Sequence, residues 1–272
     1  MNASTLSTAR AYDVLAPAYD LLTRGYAYGP WLGAIDVLAR EHGLAGRRAL
    51  DVACGTGKSL AALLDLGYEA VGCDSSPGMA AVAAAKLAGR ARVFVADMCE
   101  LPVCGRFDLI TCLDDAINHL PSARAVVRAL RGMARNLAPD GLLAFDVNTL
   151  SAYRDVGDRI VEDGSLIVLW HGAPAHVDRP GGRAEVAMDV LYRRDDGLWR
   201  RTSASWGHWH YPLASVPRLV RAAGLETVTV RGQLTGGRLE PDADEQRHRK
   251  AVFLVRRLRN EGRDDALAAV DT

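Results

Sequence analysis

Asp51-Val52-Ala53-Cys54-Gly55-Thr56-Gly57 is the stretch whose reading decides the fold. It follows the short run Arg48-Ala49-Leu50 and opens the pattern Lys58-Ser59-Leu60-Ala61-Ala62-Leu63-Leu64, so it reads as a strand, a glycine turn and a helix. Glycines at such a turn let the backbone approach a ligand, and the new helix points free N–H groups and its positive dipole end at whatever is bound. A dinucleotide fingerprint needs a third glycine, and Leu60 stands there instead, which argues against a nicotinamide oxidoreductase. The acid Asp51 at the strand end would repel phosphates and attract an ammonium group.

The next segments repeat the unit. Tyr68 to Asp74 reads as a second strand ending in an acid, and Ser75-Ser76-Pro77 with Met79 to Leu87 reads as a turn and a helix with proline near its first position. A third strand over 91–96 ends at Asp97 beside Met98, and a fourth over 107–112 ends near Asp114 and Asp115. Four strands thus deliver polar groups to one edge of a parallel sheet, the edge where open α/β sheets bind ligands.

In this combination the chain resembles the class I S-adenosylmethionine-dependent methyltransferases, over roughly residues 12 to 257. The resemblance implies an α/β fold: a Rossmann-like sheet with helices on both faces, an inserted antiparallel β-sheet and an N-terminal helical lid. One domain is expected over 1–272, with the lid at 12–45, the cofactor core at 46–147, the acceptor-site insert at 148–211 and the return to the sheet at 212–257. S-adenosyl-L-methionine is the implied cofactor, with Gly55 and Gly57 beside the methionine moiety, Asp74 on the ribose, and Asp97 with the Met98 backbone at the adenine. Tyr19, Trp31, Asp51, Ala53, Ser75, Met79 and Leu113 complete the cofactor set. Ala18 to Leu22 with Tyr28 and Trp31, and Ile117-Asn118-His119-Leu120, are similar to the small-molecule methyltransferases that dimethylate sugar amines or methylate glycine and sarcosine. That likeness implies natural-product biosynthesis and leaves nitrogen, oxygen or carbon open as the target. A non-catalytic protein that senses the cofactor or scaffolds partners is the competing expectation.

Composition agrees with one soluble enzyme domain. At 272 residues and 49% hydrophobic content the chain can bury a sizeable core, and its net charge of zero lacks the basic footprint of a nucleic-acid binder. No apolar run is long enough for a membrane span, and Met1 to Arg10 has no secretory apolar core. The five cysteines are odd in number and sit in or between the parallel strands, which disfavours disulfides and makes a reducing cytoplasm the simplest setting. A homodimer is the one protein partner left open. Met1 to Ala11 and Asn260 to Thr272 read as weakly ordered.

After a helix over 122–137 and a fifth strand over 142–147, the pattern changes at Asn148 to short alternating strands. Three pieces are expected, 165–171, 183–193 and 198–211, the last two joined by the hairpin signal Asp195-Asp196-Gly197. A helix over 214–223 and strands over 226–230 and 251–257 return to the main sheet. In Trp206 to Tyr211 the strand period puts Trp206, His208 and His210 on one face. Relatives often carry Glu-x-His near here, whereas this chain has Ala204 and Trp206, which points to a flat aromatic or apolar acceptor. His119 is the first candidate base and His208 the second; Tyr19 would position cofactor or acceptor. Tyr28, Asn118, Trp206, His210 and Arg238 are the acceptor-binding candidates, Arg238 as a clamp for an acidic group. No third ligand accompanies His208 and His210, so no metal site is expected.

Overall fold

A computed structural model describes residues 7–154, 157–171, 177 and 179–258. Two helices, α1 (Thr8–Leu22) and α2 (Tyr28–Glu41), precede the alternating units β1 (Arg48–Val52), α3 (Lys58–Asp65), β2 (Glu69–Asp74), α4 (Pro77–Lys86), β3 (Arg92–Val95), β4 (Phe107–Cys112), α5 (Ala123–Asn136) and β5 (Leu137–Asn148). A second set follows: β6 (Arg159–Asp163), β7 (Leu166–His171), β8 (Arg183–Arg193) and β9 (Trp199–Trp209). The chain then adds α6 (Val216–Ala222), β10 (Leu225–Gln233), β11 (Leu239–Pro241) and β12 (Lys250–Arg257).

The main sheet has eight strands in the order β11-β10-β12-β5-β4-β1-β2-β3. Strands β1 to β5 are mutually parallel, while β12 runs antiparallel to β5 and β10 antiparallel to β12. Order reverses between β1 and β4, and a sheet of this kind opens a crevice for ligands at that point. Successive β1 residues supply opposite faces: Ala49 joins the α2–α3 side with Ile35, Leu60 and Leu63, and Leu50 the α5–α6 side with Leu130, Met133 and Val220. Burying a leucine such as Leu60 or Leu63 in this way stabilises the fold by ~1.5–3 kcal/mol. The cysteines Cys54, Cys73, Cys99, Cys104 and Cys112 are all unpaired thiols.

Three boundaries differ from the sequence reading. Helix α1 begins at Thr8, inside the segment expected to be weakly ordered, because Ser7 caps it and Ala11, Leu15, Ala18 and Leu22 form a buried stripe at helical spacing. The insert is a four-stranded antiparallel sheet, β6-β7-β8-β9, where three pieces were expected. Its edge strand β6 is short, mostly exposed and half charged, so its pattern carries no period of two. The main sheet gains β11, a three-residue edge strand against β10. The hairpin between β8 and β9 turns at Gly197, at φ 80°, as the Asp195-Asp196-Gly197 signal requires.

Helix α1 is the middle layer of a sandwich. One side packs on the insert, with Val186, Met188, Val190, Ala204 and Trp206 in the same apolar cluster as Ala11, Leu15 and Ala18. The other side lies against the ends of β1, β2 and the start of α4, where Asp13 Oδ1 accepts hydrogen bonds from Ser76 Oγ (2.6 Å) and Gly78 N (2.8 Å). Farther along, Asp20 accepts from Thr56 Oγ1 at 2.6 Å and pairs with Lys86 Nζ at 2.6 Å.

Candidate active site

The glycine turn departs from ordinary backbone in three places: Ala53, Gly55 and Gly57 have φ of 58°, 53° and 82°. A Cβ on Gly57 would lie 3.0 Å from Ala83 Cβ, so only glycine lets the loop pass under α4. Asp74, at the end of β2, closes the loop from the other side: Oδ2 accepts from Gly55 N (2.9 Å) and Oδ1 from Ser76 N (2.8 Å). Burial raises the pKa of Asp74, and those two N–H bonds oppose the rise. Each carboxylate oxygen keeps a lone pair for a further donor. The Tyr19 ring comes within 3.8 Å of where a Gly55 Cβ would stand. Asp97 is exposed and caps a single helical turn by accepting from Cys99 N at 2.7 Å, with Met98 next to it.

At the end of β4 two successive non-glycine residues, Asp114 and Asp115, adopt left-handed backbone (φ 60° and 58°). This costs of order 1–3 kcal/mol per residue and persists only where the surroundings over-determine it. Here Asp115 N donates to Asp146 Oδ2 (2.9 Å), Asn148 Nδ2 to Asp115 Oδ2 (2.8 Å), and Tyr28 Oη to Asp114 Oδ2 (2.8 Å). Lys250 Nζ sits among the three carboxylates, 3.1 Å from Asp114, 3.3 Å from Asp115 and 3.2 Å from Asp146. Burial pulls the lysine pKa down, but the carboxylates outweigh it and hold the ammonium well above its usual range. Asp146 is pushed up to about 6 by burial, with Lys250 pulling the other way.

Beside this cluster His119 Nε2 lies 3.1 Å from Tyr12 Oη and 3.3 Å from His208 Nε2, and His208 Nε2 lies 3.4 Å from Asp115 Oδ2. Both histidines are held at about 3: His119 by burial and then by His208, and His208 by burial and then by Lys250. They are neutral imidazoles at pH 7. The Trp206 ring is 5.2 Å from Tyr12 and 6.3 Å from His119, centroid to centroid.

The geometry therefore joins Tyr19, Gly55, Gly57 and Asp74 at one end of the crevice and Tyr28, His119 and His208 at the other. It assigns other tasks to several candidates. Asp51 is buried one residue from the end of β1, and its oxygens accept from the hydroxyls of Ser59 on α3 and Thr111 on β4 (2.5 and 2.7 Å). Burial raises it to about 6. Asn118 is fully buried, accepting from Asn148 N and donating to Trp209 O, both at 2.8 Å, which ties the β4 end to the insert. His210 uses both nitrogens, with Gly181 N and Glu245 Oε2 at 3.1 Å each, leaving none for an acceptor. Met79 and Trp206 are core residues of the α1–insert cluster, and Trp31 packs in the α2 core beneath Gly237. Ser75 and Arg238 are exposed, Arg238 on a loop against α2; Leu113 is buried with the α2–α3 core.

Tyr12, Asp146 and Lys250 were not among the sequence candidates, and Asp114 and Asp115 were read only as polar groups at the sheet edge. A lone lysine opening the apolar run Ala251-Val252-Phe253-Leu254-Val255 was the available signal, since antiparallel β12 starts where parallel β5 ends.

The methyltransferase-domain family profile matches residues 49–141. A dTDP-3-amino-3,6-dideoxy-alpha-D-glucopyranose N,N-dimethyltransferase of Streptomyces fradiae is 31% identical over 189 residues, covering 67% of this chain and 72% of that protein. The chain belongs to the S-adenosylmethionine-dependent methyltransferases. A cypemycin N-terminal methyltransferase of a Streptomyces species is 28% identical over 240 residues, 85% of this methyltransferase and 93% of that one. A sugar N-methyltransferase structure from Streptoalloteichus superposes with a TM-score of 0.70 at 27% identity, covering 95% of this chain and 96% of the other. S-adenosylmethionine is the cofactor of the methyltransferase. The residues present suit such a group: at Gly55 a Cβ would meet nothing nearer than the Tyr19 ring, which leaves room for close backbone approach, and Asp74 offers a carboxylate with spare lone pairs where hydroxyls can reach it. Among the described residues no helix is long and apolar enough to cross a membrane, and no group of three or more metal-binding side chains occurs.

Proposed function

We propose that the methyltransferase transfers its methyl group to a nitrogen of a small-molecule amine held at the end of β4. The observation that carries this reading is the charge there. Asp114, Asp115 and Asp146 face one cation, Lys250, while His119 and His208 stay neutral, so two uncompensated carboxylates remain. A largely buried site of that sign attracts cations and repels phenolates and carboxylates. The names of the amino-sugar and peptide N-terminal relatives support nitrogen in the same direction.

Bound S-adenosylmethionine supplies a methyl already activated by its positive sulfur, so no covalent enzyme intermediate is needed. Gly55 and Gly57 hold the amino-acid part by close backbone approach, and Asp74 accepts from the ribose hydroxyls through its free lone pairs. Asp97 and the Met98 backbone border the adenine. Residues 12–45 act as the lid: α1 shuts water out of the space between the cofactor turn and the insert, which strengthens every polar contact inside. Asp114 and Asp115 draw in the ammonium form of the acceptor, which attacks as the free amine once its proton has passed to bulk water. His119, held at about 3, is too weak a base to keep a proton taken from an alkylammonium, so its task is alignment. Residues 148–211, the insert, shape the acceptor side.

Methyl-labelled cofactor offered with panels of aliphatic amines, phenols and indoles tests the reading. Label should enter amines alone. Transfer to a phenol or an indole carbon, with amines inert, overturns it.

A further inference from the structure

The hydrogen bonds around His119 specify where its proton sits. Tyr12 Oη is buried in the α1 layer, and burial, then Asp115 and Asp114, raises its pKa well above the ordinary value, so the hydroxyl keeps its hydrogen and donates. The acceptor in reach is His119 Nε2, at 3.1 Å. His208 Nε2 lies between Asp115 Oδ2 (3.4 Å) and the same His119 nitrogen (3.3 Å). The Asp115 carboxylate favours the His208 tautomer that carries its proton on Nε2, and an Nε2 that carries a proton cannot accept one from His119. His119 Nε2 thus receives the Tyr12 hydrogen and finds no acceptor for one of its own in His208, so it is bare. A neutral ring carries one proton, and it is left on Nδ1.

That Nδ1 is shielded from solvent and has no partner among the described residues. A buried donor without an acceptor costs about 1–3 kcal/mol, a penalty relieved when a ligand brings a lone pair. Trp206 Nε1, on a ring 6.3 Å from His119, is a second shielded donor without a partner among the described residues.

We propose that Tyr12 and the Asp115–His208 pair fix His119 as the Nδ1–H tautomer, so that His119 meets the acceptor as a hydrogen-bond donor to an oxygen on it and Tyr12 is the positioning residue that sets this polarity. The tautomer follows from the geometry alone; its use toward the acceptor rests on the site assignment proposed above.

Nitrogen-15 histidine labelling of the full chain, read by long-range proton–nitrogen correlation without any acceptor present, tests the first part. His119, assigned by the loss of its signals in His119→Asn, should show a protonated Nδ1 and a bare Nε2. In Tyr12→Phe the Nδ1–H population should fall. A wild-type His119 protonated at Nε2 overturns the proposal, as does a Tyr12→Phe spectrum identical to wild type. The wild-type spectrum decides even where a variant fails to fold. For the second part, asparagine places an N–H donor near the Nδ1 position and glutamine near the Nε2 position. His119→Asn should retain kcat within about tenfold, whereas His119→Gln should lose on the order of 100-fold. The reverse order refutes the donor role while leaving the amine assignment standing.

Discussion

Replacing Asp74 by alanine tests the cofactor end of the site, and the structure sets the size of two separate effects. In the protein alone, Gly55 N and Ser76 N lose their acceptor, at 2.9 and 2.8 Å respectively. Leaving a buried N–H unpaired costs ~1–3 kcal/mol, partly offset because the raised pKa of Asp74 shows that burying its charge is itself unfavourable. A net loss of about 1–3 kcal/mol is expected in urea unfolding. With S-adenosylmethionine, the ribose hydroxyls lose a charged acceptor worth ~1.5–3 kcal/mol, or roughly 10- to 150-fold in Kd. Titration calorimetry with the cofactor and with its demethylated product measures this directly, and Asp74→Asn separates the two effects. The amide keeps one acceptor for the loop but turns a donor toward the other N–H and the hydroxyls, so it should restore part of the stability and little of the affinity. A folded Asp74→Ala that binds the cofactor as wild type does refutes the ribose assignment.

Lys250→Met removes the one cation among Asp114, Asp115 and Asp146 and should cost ~3–5 kcal/mol, measured by denaturant unfolding at pH 7. A loss under about 1 kcal/mol would show that the carboxylates do not depend on it. For Trp206→Ala the burial of the ring against α1 makes stability the main effect, ~3–5 kcal/mol; a normal melting temperature with only a raised acceptor KM would instead place the ring in the pocket. Acid should act on two pairs of groups in opposite senses. His119 and His208, at about 3 folded against 6.5 unfolded, lose stability as pH falls from about 6.5 to 3, whereas Asp51 and Asp146, at about 6 folded against 3.8 unfolded, gain it as pH falls from about 6 to 4. Asp146→Asn deletes one gaining group, so its stability relative to wild type should drop by ~1.4 kcal/mol per pH unit between pH 6 and 4; a constant difference would contradict the raised pKa.

The parallel core and the β8–β9 hairpin of the insert were legible because their signals are local: the turn at Gly55 and Gly57, the acid Asp74 one unit later and the turn at Gly197 lie within a few residues of the elements they punctuate. The site was legible only where one strand end determines it. Asp114 and Asp115 mark the end of β4 in the sequence, but nothing local shows that Lys250, 104 residues beyond Asp146, returns among them. Tyr12 reads only as the first residue of the helical lid until Ala11 and Leu15 find the insert and bring its hydroxyl to His119, 107 residues away. The histidines erred in the opposite way. A strand period correctly grouped His208 with His210, but one meets His119 and the other is consumed by Glu245, and side-chain partners on separate elements are not encoded in a period of two.

If the acceptor proposed above is methylated more than once, the placement of α1 between the cofactor turn and the insert bears on how many methyl groups it receives per visit. After each transfer the spent cofactor has to be exchanged, and the helix is fastened on that side by Asp13 and Asp20 and on the other by Trp206 and its neighbours. If the acidic fastenings release first while the aromatic side stays packed, a monomethylated acceptor waits in place for a fresh cofactor and leaves fully methylated. If the helix lifts as one body, the half-finished acceptor escapes and must compete to return. For an acceptor that takes more than one methyl group, the choice between processive and distributive methylation would then rest on which face of a single fifteen-residue helix lets go first.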